Sequence, residues 1–438
     1  MSINCIRTLI EDAAISHADK VAVVFEEKTI TYSELLTKVN QVAFYLKELD
    51  LPKDSRVGVY SSRGIEQIIA ILAILSTDYI LVPLTKLLKP EQVEYIINDC
   101  EIKCIITDKL KLENIEEIHF SGHIISYETT TKEIASFEEI FKYYKKPYMC
   151  DINGHSNAVI TYSFGLSGTP KGIVISHRNL IDSARVVSQY LKLQEDDIIS
   201  GILIFNLDYG LNQIFTALYK RATLALHKLI LSQDFLNHLI NDNVTVIPLM
   251  PVNITQIFDE DTHRLPNSEL FANVRTITSS GGKVTLKMIQ DCKKLFTNAS
   301  FYSMHGLTEA FRSTYLDPSQ IEIRPDSIGK AIPDVELYVI NNEGKECAAR
   351  EVGELIHRGG YIYRGFWNAP EQTHERFKSI QILKDVVNLD GQLTDEIVVA
   401  TGDYVYKDEE GYFYFVSRHD NMIKTRGFRV SPYEIESV

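Results

Sequence analysis

Short β-branched runs alternate with amphipathic helical stretches through the first hundred residues, and this alternation restricts the fold more than any other feature. Residues 21–25 form a β-rich run. Thr31 with Glu34 then makes a capping-box pattern, followed by Leu35, Leu36, Val39, Val42 and Leu46 on one helical face. Strand 56–60, helix 65–75, strand 79–84, helix 90–98 and strand 104–107 continue the rhythm. Strands joined through helices pair in parallel, with right-handed crossovers and helices on both sheet faces. The expected fold is α/β, a large N-terminal domain of parallel sheets flanked by helices. From Gly353 onward the texture changes to glycine-punctuated segments dominated by Tyr, Phe and Ile, the mark of a small, mostly antiparallel β-subdomain. The last stretch, from Arg418, starts like a new module, with a strand at 427–430 ahead of Pro432.

The 59 acidic residues outnumber the 45 basic ones, for a formal net charge of −14, which disfavours nucleic acid as a partner. Lys142, Lys145 and Lys146, set among Tyr143, Tyr144 and Tyr148, are too short a cluster for a binding groove and read as a solvated helix end. Six cysteines without a C-x-x-C pair point to reduced thiols and a cytoplasmic protein. The N-terminus lacks the continuous apolar stretch of a secretory segment, and the most apolar window, 68–84, is interrupted by Ser76, Thr77 and Asp78, so no membrane span is expected.

The segment 159–180 carries the clearest chemistry. An apolar run leads into Gly165, Ser167, Gly168, Lys171 and Gly172, and a helix signal follows. Glycines let backbone N–H groups turn inward on an anion, hydroxyls add donors, and a lysine adds charge, so this strand, loop and helix suit a phosphate. Lys171 is followed by Gly172 rather than by Ser or Thr, and no G-x-G-x-x-G occurs, which excludes the Walker and Rossmann patterns.

Tyr162-Ser-Phe-Gly-Leu-Ser-Gly-Thr-Pro-Lys-Gly172 resembles the phosphate loop of the adenylate-forming superfamily, which joins acyl-CoA synthetases, nonribosomal-peptide adenylation domains and firefly luciferase. Further motifs are similar in the same order. Tyr302-Ser-Met-His-Gly-Leu-Thr-Glu309 resembles Tyr-Gly-x-Thr-Glu; Gly353-Glu-Leu and Tyr363-Arg-Gly-Phe resemble the Gly-Glu-Leu and Gly-Tyr motifs; Thr401-Gly-Asp403 resembles the ribose motif; and Arg418-His-Asp420 through Gly427 resembles the hinge. The resemblance implies a large adenylation domain over 1–418, its β-rich part at about 330–418, and a hinge with the first fragment of a truncated C-terminal domain at 419–438.

The resemblance also implies roles. Ser163, Gly165, Ser167, Gly168 and Lys171 would hold the ATP phosphates. Thr308 would contact the α-phosphate and Glu309 would hold Mg²⁺, a cation suited to carboxylate and phosphate oxygens. Lys171, Thr308 and Glu309 form the catalytic set. Ser280, Gly281 and Gly282 would let adenine approach backbone, beside Gly306, with His305 where relatives place a stacking aromatic. Asp403 would accept hydrogen bonds from both ribose hydroxyls, with Arg418 in the same nucleotide-binding set, and Asp420 would be the hinge. Phe164 and Leu166 stand where the family loop usually has hydroxyls, leaving fewer side-chain donors.

The implied reaction is attack of a carboxylate on ATP, giving an acyl adenylate and pyrophosphate, followed by transfer to a phosphopantetheine thiol of a carrier protein or CoA. Leu207-Asp208-Tyr209-Gly210-Leu211-Asn212-Gln213 aligns with the segment of peptide-synthetase domains that places an aspartate against an amino-acid ammonium, here Asp208. Asn206 to Gly210 also aligns with the His-x-x-Gly region of fatty acyl ligases. By position the substrate would meet Asp208, Tyr209, Asn212, Ser279, Met304 and Arg312. Arg312 suits an acidic substrate group, whereas long arginines more often reach solvent. The resemblance leads to three readings: an amino-acid-activating enzyme, an acyl-CoA or acyl-carrier-protein synthetase for a fatty or aryl acid, and a non-catalytic nucleotide-binding relative. In the family a C-terminal module of about 100 residues, a length typical of a compact module, carries a lysine that bridges carboxylate and phosphate. No counterpart precedes Val438, so ATP and substrate binding with slow or absent adenylation is expected.

Overall fold

The computed structural model describes residues 4–130, 134–144, 152–164, 170–258, 265–387, 389, 395–418, 423–425 and 428–430. They form two compact units. The first comprises Met1–Tyr162, Val174–Ser188 and Leu193–His227; the second comprises Ser163–Ile173, Gln189–Lys192 and Lys228–Val438.

The first unit has the alternating texture read from the sequence. The Thr31 hydroxyl accepts the Glu34 N–H at 3.3 Å, and Glu34 returns a carboxylate to the Thr31 N–H at 2.9 Å. That box starts the helix Tyr32–Glu48, which buries Leu35, Val39, Val42 and Leu46. Burying a Leu or Val side chain contributes about 1.5–3 kcal/mol, so this face, more than helix propensity, holds the segment in place. Strands Ala135–Ser136, His123–Ser126, Cys104–Thr107, Arg56–Tyr60, Ile80–Leu84 and Asn157–Phe164 lie side by side in that order and in parallel. A second group runs Ile198–Gly201, Thr223–Leu226, Val21–Phe25 and Lys28–Thr31. Its last strand, a hairpin partner of Val21–Phe25, was not expected, because the turn uses Glu26 at φ 55° rather than an Asn-Gly or Asp-Gly pair.

The second unit carries a mixed sheet. Val246–Leu249, Thr276–Ser279 and Ser300–His305 pair in parallel, and Thr314–Leu316 then turns the sheet antiparallel. Ser327–Ala331, Phe413–Arg418, Ile397–Lys407, Gly353–Gly359 and Val335–Ile340 extend it in that order. The antiparallel texture therefore begins ahead of Gly353. Its core includes Val339, Cys347, Leu355, Val405 and Phe413.

The described cysteines, Cys5, Cys100, Cys104, Cys292 and Cys347, are free and buried. Lys142 lies on the short helix Phe137–Tyr143, while Lys145, Lys146 and Tyr148 lie outside the described residues. Among the described residues no helix is long and apolar enough to cross a membrane.

Candidate active site

Parallel strands deliver their carboxyl ends to one edge of a sheet, where α/β proteins collect ligand-binding loops. In the second unit, Leu249 is in register with Ser279, and Ser279 with Ser303. Ser280, Gly281 and Gly282 follow one of these strands, and Gly306, Thr308 and Glu309 follow its neighbour. Gly306 has a steric reason to be glycine. A Cβ there would overlap the Phe311 carbonyl and come within 2.9 Å of the Arg312 guanidinium.

The acidic turn is stitched to a distant strap. The Tyr363 N–H donates to the Glu309 carbonyl at 3.0 Å, Ala310 bridges to Ile362, and the Phe311 N–H donates to the Tyr361 carbonyl at 3.3 Å. The same strap then crosses to the lysine strand, where the Trp367 N–H donates to the Gly172 carbonyl at 2.8 Å and Phe366 bridges Ile173. Residues 361–367 thus hold the backbones of Glu309 and of the segment carrying Lys171. The sequence flagged Tyr363-Arg-Gly-Phe as a motif but not this bracing, which depends on pairing between remote segments.

Glu309 is 3 % exposed. Its Oε1 lies 4.0 Å from Nε of Arg376, and its Oε2 is buried with no hydrogen-bond partner among the described residues. Buried polar atoms are ordinarily satisfied, so this oxygen is suited to a ligand that the fold itself does not supply. A hard divalent cation would fit that carboxylate donor. Among the described residues no group of three or more His, Cys, Asp or Glu is arranged to hold a metal by itself.

Asp403 is in cross-strand register with Arg418. Its Oδ1 is 3.2 Å from Nε of Arg418 and its Oδ2 is 3.0 Å from Nε2 of His305. The polar edge of His305 is therefore turned to Asp403, and its ring centroid is 6.1 Å from that of Phe415. The Thr401 hydroxyl accepts the Asp403 N–H at 3.0 Å.

Each unit carries some of the positions that the resemblance assigns to the substrate. Asp208, Tyr209 and Asn212 lie on the helix Asp208–Lys220 of the first unit. Asp208 accepts the Tyr209 N–H at 2.7 Å. Asn212 is engaged inside that unit, donating to the Ser183 hydroxyl and accepting from Thr216, both at 2.9 Å. In the second unit the Ser279 hydroxyl is buried without a partner among the described residues, and the Tyr190 hydroxyl donates to the Met304 sulfur at 3.0 Å.

One open alternative closes and one expectation needs correction. Arg312 does not reach solvent. It is 3 % exposed, with its guanidinium 4.6 Å from the Phe311 ring centroid and Nη1 donating to the Phe311 carbonyl at 3.0 Å. The segment after the glycine loop is not immediately helical either. Pro170–Ser176 is a strand, and the helix His177–Tyr190 begins after it. Ser176 accepts the Asn179 N–H at 3.2 Å, and Asn179 accepts the Ser176 N–H at 3.1 Å. Ser163 lies in the preceding strand Asn157–Phe164, half-buried, while Gly165, Ser167, Gly168 and Asp420 lie outside the described residues.

The family model described as AMP-binding enzyme matches residues 10–367. The chain belongs to the AMP-binding enzyme family. Among curated members it is 27 % identical to tyrocidine synthase 1 of Brevibacillus parabrevis over 439 residues, covering 99 % of this chain and 38 % of that protein. The chain spans well under half the length of such relatives. The anthranilate CoA ligase AuaEII, solved with anthranoyl-AMP, superposes with a TM-score of 0.83 at 23 % identity, covering 100 % of this chain and 82 % of that one. The o-succinylbenzoate CoA synthetase of Bacillus subtilis, solved with ATP and magnesium, gives 0.79 at 21 % identity, covering 98 % and 83 %. These two CoA ligases thus share this fold.

Proposed function

We propose that this AMP-binding enzyme activates an amino acid by adenylation and passes the acyl group to a phosphopantetheine thiol of a carrier protein. A substrate carboxylate oxygen attacks the α-phosphorus of ATP, the bond from that phosphorus to the bridging oxygen breaks, and pyrophosphate leaves. The observation that carries this reading is the buried, unpartnered oxygen of Glu309 on a turn braced to the lysine strand.

Glu309 would hold Mg²⁺, which when bound neutralises phosphate charge and polarises phosphoryl oxygens. Lys171 and Thr308 bind and orient the phosphates, with Ser163, Gly165, Ser167 and Gly168 beside them. Asp403 binds the ribose; a carboxylate has about four acceptor directions, so hydroxyls can join His305 and Arg418 around it. Ser280, Gly281, Gly282 and Gly306 admit the base. Catalysis is then mainly alignment of two anions and neutralisation of their repulsion. Asp208 is assigned to the substrate ammonium, Tyr209, Asn212, Ser279, Met304 and Arg312 to its surroundings, and Asp420 to the hinge between an adenylation domain over 1–418 and the residues after it.

Tyrocidine synthase 1 supports the amino-acid reading, and the two CoA ligases support transfer of an aryl acid to CoA as the second. ATP–pyrophosphate exchange screened against amino acids, aryl acids and fatty acids decides between them. Even at a low rate, an amino acid is expected to head the ranking. An aryl or fatty acid at its head would establish the second reading, and absence of both exchange and ATP binding would sink both.

A further inference from the structure

We propose that Arg376 is the positioning residue of Glu309, and that it passes over Gly402 of the ribose motif, where a side chain would displace it. The inference rests on the reading of Glu309 as the residue that holds the nucleotide's cation. Arg376 closes the short helix Pro370–Arg376. Its Nε is 4.0 Å from Glu309 Oε1, and its side chain is 21 % exposed. On the other side, Gly402 stands at φ +67°, and a Cβ built there would overlap the Arg376 guanidinium. One guanidinium therefore lies against both the acidic turn and the residue preceding Asp403.

A buried carboxylate needs a nearby compensating charge, and the partner also limits how the group rotates. With Oε1 toward Arg376 at an ion-pair distance of 4.0 Å, Oε2 is the oxygen presented. Arginine suits this task because its planar fork is rigid where the lysine ammonium is a point charge. The two motifs are coupled through Arg376, although 94 residues separate Glu309 from Asp403 in the sequence.

The test is ATP binding by isothermal titration calorimetry, with Mg²⁺ and with EDTA, for the full chain and for R376Q, R376K, G402A, R376Q/G402A and E309Q. R376Q is expected to weaken binding about tenfold in Mg²⁺, the loss of one charge-assisted contact, and to match wild type in EDTA. G402A should weaken Mg²⁺–ATP binding at least as much as R376Q, since its φ of +67° adds backbone strain, and R376Q should add nothing further in the double variant, because the arginine is already displaced. R376K should fall between wild type and R376Q, at about threefold. Equal losses of R376Q with and without Mg²⁺, or losses that multiply in the double variant, overturn the proposal. So does an unimpaired R376Q alongside an impaired E309Q, which leaves the metal reading standing. Unchanged Mg²⁺–ATP affinity in E309Q removes the metal reading and this proposal with it. If thermal melting shows R376Q unfolded, wild-type affinity in both R376K and G402A overturns the proposal.

Discussion

Nε2 of His305 faces Oδ2 of Asp403 at 3.0 Å, on side chains 17 % and 1 % exposed. An ionised carboxylate can only accept, so this contact puts a proton on Nε2. The ion pair with Arg418 engages the other oxygen, and the ribose-motif acid is held from both sides.

Removing the imidazole leaves one oxygen of a buried carboxylate without this donor. H305A should lower folding stability by about 1–3 kcal/mol, and H305Q should restore part of the loss. Urea unfolding with an unchanged m-value measures it. A stability equal to wild type would show that the contact contributes nothing.

Two other imidazoles make stability depend on pH. Burial lowers His177 and His357 from the usual 6.5 to about 4. Nε2 of His357 donates to the Gly360 carbonyl, so Nδ1 accepts from Ser313, both at 3.0 Å; Nδ1 of His177 accepts the Ile6 N–H at 3.4 Å. Because the folded values lie below the unfolded one, the unfolded chain takes up protons first as pH falls. Their contribution is therefore complete above about 6.5 and is lost on the way down through about 4, by roughly 2 kcal/mol per imidazole between pH 8 and pH 5. The gap between denaturation midpoints at the two pH values should narrow in H357Q, the His177 share remaining. An identical drop in wild type and variant would remove His357 from the account.

Gly306 and Gly411 separate crowding from backbone strain. A methyl group at Gly306 meets the Phe311 carbonyl, whereas Gly411, at φ +82°, has nothing within 4 Å of the same position. G306A should cost more than about 2 kcal/mol and weaken ATP binding through the Thr308–Glu309 turn. G411A should cost about 1 kcal/mol, with ATP binding intact. Paired thermal melts and nucleotide titrations check both, and equal behaviour of the two variants would contradict the steric argument.

The D208A variant tests the proposed substrate class. Under the amino-acid reading, D208A should reduce amino-acid-dependent pyrophosphate exchange at least tenfold, since a charge-assisted contact is worth roughly 1.5–3 kcal/mol. Exchange unaffected by D208A would transfer the assignment to an acyl substrate without nitrogen.

Local signals in this chain translate faithfully because their physics is local. The Thr31–Glu34 box, the apolar face through Leu46 and the β-branched runs at 56–60 and 104–107 involve neighbours within a turn or a pleat, and each became the expected element. The antiparallel character after Gly353 was legible for the same reason. Pro170–Ser176 was less so, because Lys171 and Gly172 read as loop, and the strand forms by pairing with Asn157–Phe164 across the glycine segment.

The amino-acid order alone therefore determined the α/β alternation, the antiparallel segment, and which glycines, acids and lysine deserve attention. It could not determine the arrangement around them. Glu309 meets Tyr363 and Arg376, Asp403 meets His305, and Arg312 turns onto Phe311 rather than into water. Those contacts come from sheet register and close packing between residues distant in sequence or free to choose rotamers, and no short-range periodicity encodes them. Only the closed fold decides which oxygen of a carboxylate is spent on an arginine and which is left for a ligand.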